Sequence, residues 1–135
     1  MNRILVVDDE QGMAEMISEQ VENLGFEATA ALSAREALDL WKKERQGLVI
    51  TDLNLGGDMD GISLCSRIRY EDHTVCVIAM SGYVSEYDLE YCLAAGFSDV
   101  LEKPIDLNDL NNSIQCNLER RQRWITVIKG LAQDV

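Results

Sequence analysis

Four short stretches of this sequence carry groups that could do chemistry together. They are the acidic run Asp8-Asp9-Glu10, the carboxylate of Asp52 ending the apolar run Leu48-Val49-Ile50-Thr51, the hydroxyl of Ser81 before Gly82, and the ammonium of Lys103 before Pro104. Carboxylates brought close together repel one another unless a cation lies between them. An all-oxygen ligand set suits Mg²⁺. A hydroxyl, an open backbone N–H and an ammonium suit the oxygens of a transferring phosphoryl group, and a carboxylate is a nucleophile for it. Each stretch has a plainer reading when taken alone. Asp8-Asp9-Glu10 could cap a helix, Asp52 could satisfy loop N–H groups, Ser81 could be a turn residue, and Lys103 a solvated surface charge. The chemistry holds only if the fold brings them to one place.

The elements that must do so can be read in chain order. Residues 3–7 form a first strand ending at Asp8. Residues 13–24 carry Met13, Met16, Ile17, Val21 and Leu24 at helical spacing, with Gly25 just past the end. A weaker strand spans 26–31. Ser33-Ala34-Arg35-Glu36 is a capping box for a helix with Ala37, Leu38 and Trp41 on one face, closed by Gly47. Residues 48–51 are a buried strand, followed by a Gly-rich loop and a helix over 62–70. Residues 75–80 form an almost wholly apolar strand. Ser85 and Asp88 open the next helix, which Gly96 closes; 99–101 is a short last strand. Asp106 caps a helix with Leu107, Leu110, Ile114 and Leu118 along one face.

Five strand–helix alternations imply right-handed crossovers and a parallel sheet. The expected fold is α/β and flavodoxin-like: a doubly wound (βα)₅ unit with strand order 2-1-3-4-5 and a C-terminal helical extension. That order puts Asp8, Asp9 and Asp52 side by side at the carboxyl end of the sheet, where open α/β sheets bind ligands. Ser81 and Lys103 end the next two strands at the same edge, and the turn at the lone proline, a candidate cis bond, aims Lys103.

Bulk properties narrow the classes. The 135 residues suit one domain with a real core. No apolar run is long enough to span a membrane and none resembles a signal peptide, which makes the cytoplasm the default placement. The four cysteines, Cys65, Cys76, Cys92 and Cys116, form no C-x-x-C pair, and only His73 could add imidazole, so they read as thiols in a reducing compartment. Net charge is −12. Residues 1–118 carry −14 and residues 119–135 carry +2, so the body disfavours nucleic acid, and the sign change marks the tail as a different element.

With these stretches placed, the sequence resembles a receiver domain of the bacterial two-component response-regulator family. The resemblance covers residues 3 to about 118. It rests on Ile4-Leu5-Val6-Val7-Asp8-Asp9-Glu10, Thr51-Asp52-Leu53 with Met59-Asp60-Gly61, Met80-Ser81-Gly82, Ala95-Gly96 and Lys103-Pro104. It implies a domain at 1–118 and an extension or linker at 119–135. It also implies transfer of a phosphoryl group from a sensor histidine kinase, or a histidine phosphotransfer protein, to Asp52. Asp9, Asp52 and the backbone carbonyl of Asn54 would bind Mg²⁺, with Asp8 acting through water, and Ser81 and Lys103 would contact phosphoryl oxygens. Such a domain catalyses only its own phosphorylation and dephosphorylation.

Two features depart from the family's pattern, and a third residue, Tyr83, bears on the site. Leu55-Gly56-Gly57-Asp58 replaces the usual Met-Pro and adds one residue before Gly61, which predicts a more mobile loop. Val100 stands where the family usually has Tyr or Phe, the aromatic half of its switch. Tyr83 either overhangs the site or is a half-exposed loop aromatic. Beyond Leu118, Trp124, Ile125, Ile128 and Leu131 recur at helical spacing. Three readings compete there: a continued helix used for homodimer formation or coiled-coil pairing, a helix folded back on the body, and a linker. The continued helix is favoured, and binding of nucleic acid or membrane is not expected. Two alternatives stand beside the leading function: a Mg²⁺-dependent phosphatase with Asp52 as nucleophile, for which Asn54 replaces the second acid such enzymes need, and a pseudo-receiver acting only as an interaction module.

Overall fold

The computed structural model describes residues 3–82 and 86–133, without the side chains at 86–88, 132 and 133. Its elements alternate strictly: β1 (Arg3–Val7), α1 (Gln11–Asn23), β2 (Glu27–Ala31), α2 (Ala34–Glu44), β3 (Leu48–Asp52), α3 (Gly61–Glu71), β4 (Cys76–Ser81), α4 (Glu86–Ala95), β5 (Asp99–Glu102) and α5 (Leu107–Gln133). All strand pairs are parallel, and the five-stranded sheet runs β2-β1-β3-β4-β5, the expected order.

The two-residue period of a strand explains the core. Successive side chains point to opposite faces, so each central strand feeds two apolar clusters. Leu5, Val7, Val49, Val77 and Ala79 join Ala37, Leu38 and Trp41 of α2, Leu64, Cys65 and Ile68 of α3, and Cys92 of α4. Ile4, Val6, Leu48, Ile50, Ile78 and Met80 join Ile17 and Val21 of α1 and Leu110 and Ile114 of α5. With both faces covered, β3 and β4 are buried along their whole length. This is why they read as unbroken apolar runs rather than alternating ones.

Helix ends follow local chemistry, with one correction. Gly25 (φ +97°) and Gly96 (φ +96°) take the left-handed position past α1 and α4. Asp106 Oδ1 accepts the N–H groups of Asn108 and Asp109 at the start of α5. Ser33 Oγ accepts the Glu36 N–H at 3.1 Å, and Glu36 reaches back to the Leu32 N–H. Gly47, however, does not close α2. The helix stops at Glu44, and Arg45 takes the left-handed conformation (φ 52°). The Arg45 guanidinium then stacks 4.3 Å over the ring of Trp41, and the Arg45 backbone N–H donates to the Trp41 carbonyl. Gly47 serves packing instead: a Cβ there would lie 2.7 Å from the Arg121 guanidinium of α5. The expected capping by Ser85 and Asp88 lies outside the described residues.

The tail is the second half of α5, which continues through Leu118 without interruption for 27 residues in all. Its apolar side chains emerge into solvent: Trp124, Val127, Ile128 and Leu131 are all exposed. Among the described residues, no helix is long and apolar enough to cross a membrane.

Candidate functional site

Strand register assembles the site. Val7 pairs with Thr51, Asp52 with Met80, and Ser81 with Glu102. Asp8, Asp52, Ser81 and Lys103 therefore arrive level at the carboxyl edge of four adjacent strands. The Lys103 N–H donates to the Ser81 carbonyl at 2.7 Å and the Leu53 N–H to the Met80 carbonyl at 3.0 Å, which extends the ladder past the strand ends. The Lys103–Pro104 peptide is cis.

Asp8 is fully buried, Asp52 nearly so, and Asp9 is exposed. One carboxylate oxygen from each lies within 4.8 Å of the others. Asp8 does not cap α1, which has no side-chain cap; Asp8 Oδ1 instead accepts the Glu10 N–H at 2.9 Å. Lys103 Nζ donates to Asp52 Oδ2 at 2.8 Å and to Asp8 Oδ2 at 3.2 Å. Burial works to lower the Lys103 pKa, but the hydrogen bonds and charges of Asp52 and Asp8 outweigh it and hold it above the usual lysine value. The ammonium thus balances one of three clustered negative charges. The uncompensated charge and the hard oxygen donors suit a divalent cation such as Mg²⁺. Ser81 is buried at the end of β4.

Asp52 Oδ1 accepts the Asn54 N–H at 3.0 Å, so both oxygens of Asp52 are oriented. Behind it, Gly61 opens α3 and donates its N–H to the Leu53 carbonyl. A Cβ at Gly61 would fall 2.1 Å from the Asp52 carbonyl oxygen. Only glycine lets the helix start this close to the strand end. Asp60 caps the same helix by accepting the Ser63 N–H at 2.8 Å.

The unusual loop between β3 and α3 is tied down more than its glycines suggest. Leu55 and Met59 are buried in the core and anchor it on either side. Between them the Gly56 N–H donates to Asp9 Oδ2 at 3.1 Å, Gly57 turns at φ +99°, and Asp58 pairs with Arg35 of α2 at 2.7 Å. Gly56, Asp58 and Arg35 were not singled out as site residues from sequence. A backbone donor leaves no signature in residue type, and Arg35 and Asp58 are 23 positions apart. Val100 is half-buried against the core cluster shared by α3 and α4. Tyr83 lies outside the described residues. A cavity of about 600 Å³ between β5 and α5 includes Lys103 but none of the clustered carboxylates.

A five-stranded parallel sheet with carboxylates, a hydroxyl and a lysine at its carboxyl edge is the architecture of a receiver domain. The sequence model of the family described as response regulator receiver domain matches residues 4–115. The chain belongs to this family, a group of two-component signalling modules. It is 34% identical over 119 residues to Regulatory protein AtoC of Escherichia coli (strain K12), spanning 88% of this chain but 26% of that protein. It is 29% identical over 113 residues to Sporulation initiation phosphotransferase F of Bacillus subtilis (strain 168), spanning 84% and 90% of the two chains. Among solved structures, a CheY-like response regulator receiver domain protein from Methanospirillum hungatei JF-1 superposes with a TM-score of 0.86 at 28% identity, covering 91% of this chain and 98% of that one.

Proposed function

We propose that the protein is a phosphoacceptor receiver: Asp52 takes a phosphoryl group from the phosphohistidine of a sensor histidine kinase or histidine phosphotransfer protein. The observation that carries this reading is the Lys103 ammonium bound to Asp52 and Asp8 beside a third carboxylate. In the transfer an Asp52 oxygen forms a bond to phosphorus as the phosphorus–nitrogen bond breaks, and the donor imidazole leaves with the bonding electrons. Asp9, Asp52 and the Asn54 carbonyl would hold Mg²⁺, with Asp8 acting through water; the chemistry of the ion is to neutralise charge on the phosphoryl oxygens. Lys103 exchanges its carboxylate partners for a phosphoryl oxygen, and the Ser81 hydroxyl donates to another. The reaction changes the protein itself and turns over no external substrate.

In this reading residues 1–118 are the receiver and 119–135 a helical extension that self-associates through Trp124, Ile128 and Leu131, in the cytoplasm. Phosphorylation shifts the balance between two conformations of the α4–β5 face. With Val100 in place of an aromatic, that shift runs through backbone and α4 packing rather than through a swinging ring.

The test is incubation with Mg²⁺ and a small acyl-phosphate donor, read by intact mass. One added phosphoryl group, absent from Asp52→Asn and dependent on Mg²⁺, is expected. No gain with any donor while Mg²⁺ binds would sink the reading and leave an interaction module. Asp52-dependent turnover of a phosphomonoester would point to a phosphatase instead.

A further inference from the structure

The loop from Leu55 to Met59 presents a physical problem. Leu55 and Met59 are fixed by burial, but Gly56 and Gly57 have no side chains to pack, and glycine loses more backbone freedom on ordering than any other residue. Yet the Gly56 N–H meets Asp9 Oδ2 at 3.1 Å. Asp9 is the exposed member of the carboxylate cluster. Asp58, next to the two glycines, is held 2.7 Å from Arg35. Arg35 itself stands in the first turn of a helix capped by Ser33. The hydrogen bond and charge of Arg35 hold the Asp58 carboxyl below the usual carboxylate range.

We infer that Arg35 is a positioning residue for the acidic cluster: through Asp58 it holds the glycine loop so that the Gly56 N–H orients the Asp9 carboxylate. The inference rests on the reading that this cluster binds Mg²⁺. Ligating carboxylates are commonly held by an outer hydrogen bond; here that bond comes from a loop one residue longer than the family's usual form. The tether joins the metal side of the site to α2, a helix with no residue in the site.

The pair is more than half exposed, with 53% and 71% of the two side chains open to solvent. Such pairs are weak, so the expected effect is small and its pattern is what matters. Mg²⁺ dissociation constants would be measured by calorimetry for the wild type, Arg35→Gln, Asp58→Asn and the double variant. Each single change weakens Mg²⁺ binding about two- to fivefold, and the double is no worse than either single. The differences close near 1 M salt, where exposed pairs are screened.

A plain net-charge effect has the opposite pattern. Losing the Arg35 cation would tighten Mg²⁺ binding while losing the Asp58 anion weakened it, and that result would overturn the proposal. So would unchanged constants in a protein that binds Mg²⁺. Exchange of the Gly56 amide hydrogen, followed by NMR without metal, tests the loop independently: about two- to fivefold faster exchange in Arg35→Gln is expected, and equal rates would refute the tether. A wild type that binds no Mg²⁺ would defeat the proposed function, while the amide measurement would still decide whether Arg35 holds the loop.

Discussion

Lys103 Nζ lies 2.8 Å from Asp52 Oδ2, so the predicted nucleophile begins in an ion pair with the residue expected to hold its incoming group. The same ammonium reaches Asp8, which is fully buried. Removing Lys103 therefore leaves two buried carboxylates facing each other. Lys103→Met is expected to lower unfolding stability by roughly 1–3 kcal/mol in metal-free buffer, the cost of orphaning charged hydrogen-bonding groups. Mg²⁺ binds the folded state and replaces the lost cation, so it should raise the melting temperature of this variant more than that of the wild type. Denaturation with and without Mg²⁺ checks both.

Two glycines predict opposite tolerance to one methyl group. At Gly61 the methyl meets backbone, the Asp52 carbonyl oxygen at 2.1 Å, which cannot move without moving the site. Gly61→Ala should cost about 1–3 kcal/mol or more and abolish acyl-phosphate labelling. At Gly47 the methyl meets the end of a long side chain, Arg121 at 2.7 Å. Gly47→Ala should cost well under ~1 kcal/mol, with Arg121 swinging away. Urea unfolding of the two variants side by side gives the comparison.

Thiol reactivity should be confined to one site. Cys65, Cys76 and Cys92 are buried and Cys116 is exposed. Burial pushes the Cys65 thiol up to about 12 and Cys76 upward as well, so neither forms the reactive thiolate near neutral pH. A maleimide at pH 7 should add one equivalent, at Cys116, with the rest reacting only in denaturant. Peptide mapping of the native adduct is the measurement.

Acid should remove one defined contribution. Burial works to raise the Asp72 pKa, but the Thr74 hydroxyl and N–H, with Arg121 and Arg45 nearby, outweigh it and bring it below 3.8. A lowered folded-state value means the carboxylate stabilises the fold above pH 3.8 and ceases to as pH falls through the folded-state pKa. The stability gap between wild type and Asp72→Asn should be full at pH 7 and shrink steadily below pH 3.8. Denaturant titrations across that range decide it.

Much of this is legible in the sequence. The fold is, because β3 and β4 are buried on both faces and their apolar runs are unbroken, while α1 and α2 carry a one-sided stripe. Asp8, Asp52, Ser81 and Lys103 were placed at one edge by strand order alone, since parallel strands deliver all their carboxyl ends to the same side. Less legible were features that depend on backbone geometry. Gly47 looked like a helix terminator because a glycine after a helix usually is one; the stacking of Arg45 on Trp41 moved the stop three residues earlier. The loop after Asp52 looked loose because glycines carry no packing information, and its restraints come from a backbone N–H and a partner on α2.

The uninterrupted α5 has a mechanical consequence. Twenty-seven residues of helix make a rod about 40 Å long, with its first half clamped to the sheet by Leu110 and Ile114. If phosphorylation tilts α5, the exposed half beyond Arg121 would act as a lever. A tilt of about 10° at the clamped end, small enough to leave the core intact, would carry Leu131 through roughly 4 Å. A modest rearrangement around Asp52 would reach the tip amplified, and a partner seated on Trp124 and Leu131 would feel it as a change of angle rather than a change of contacts.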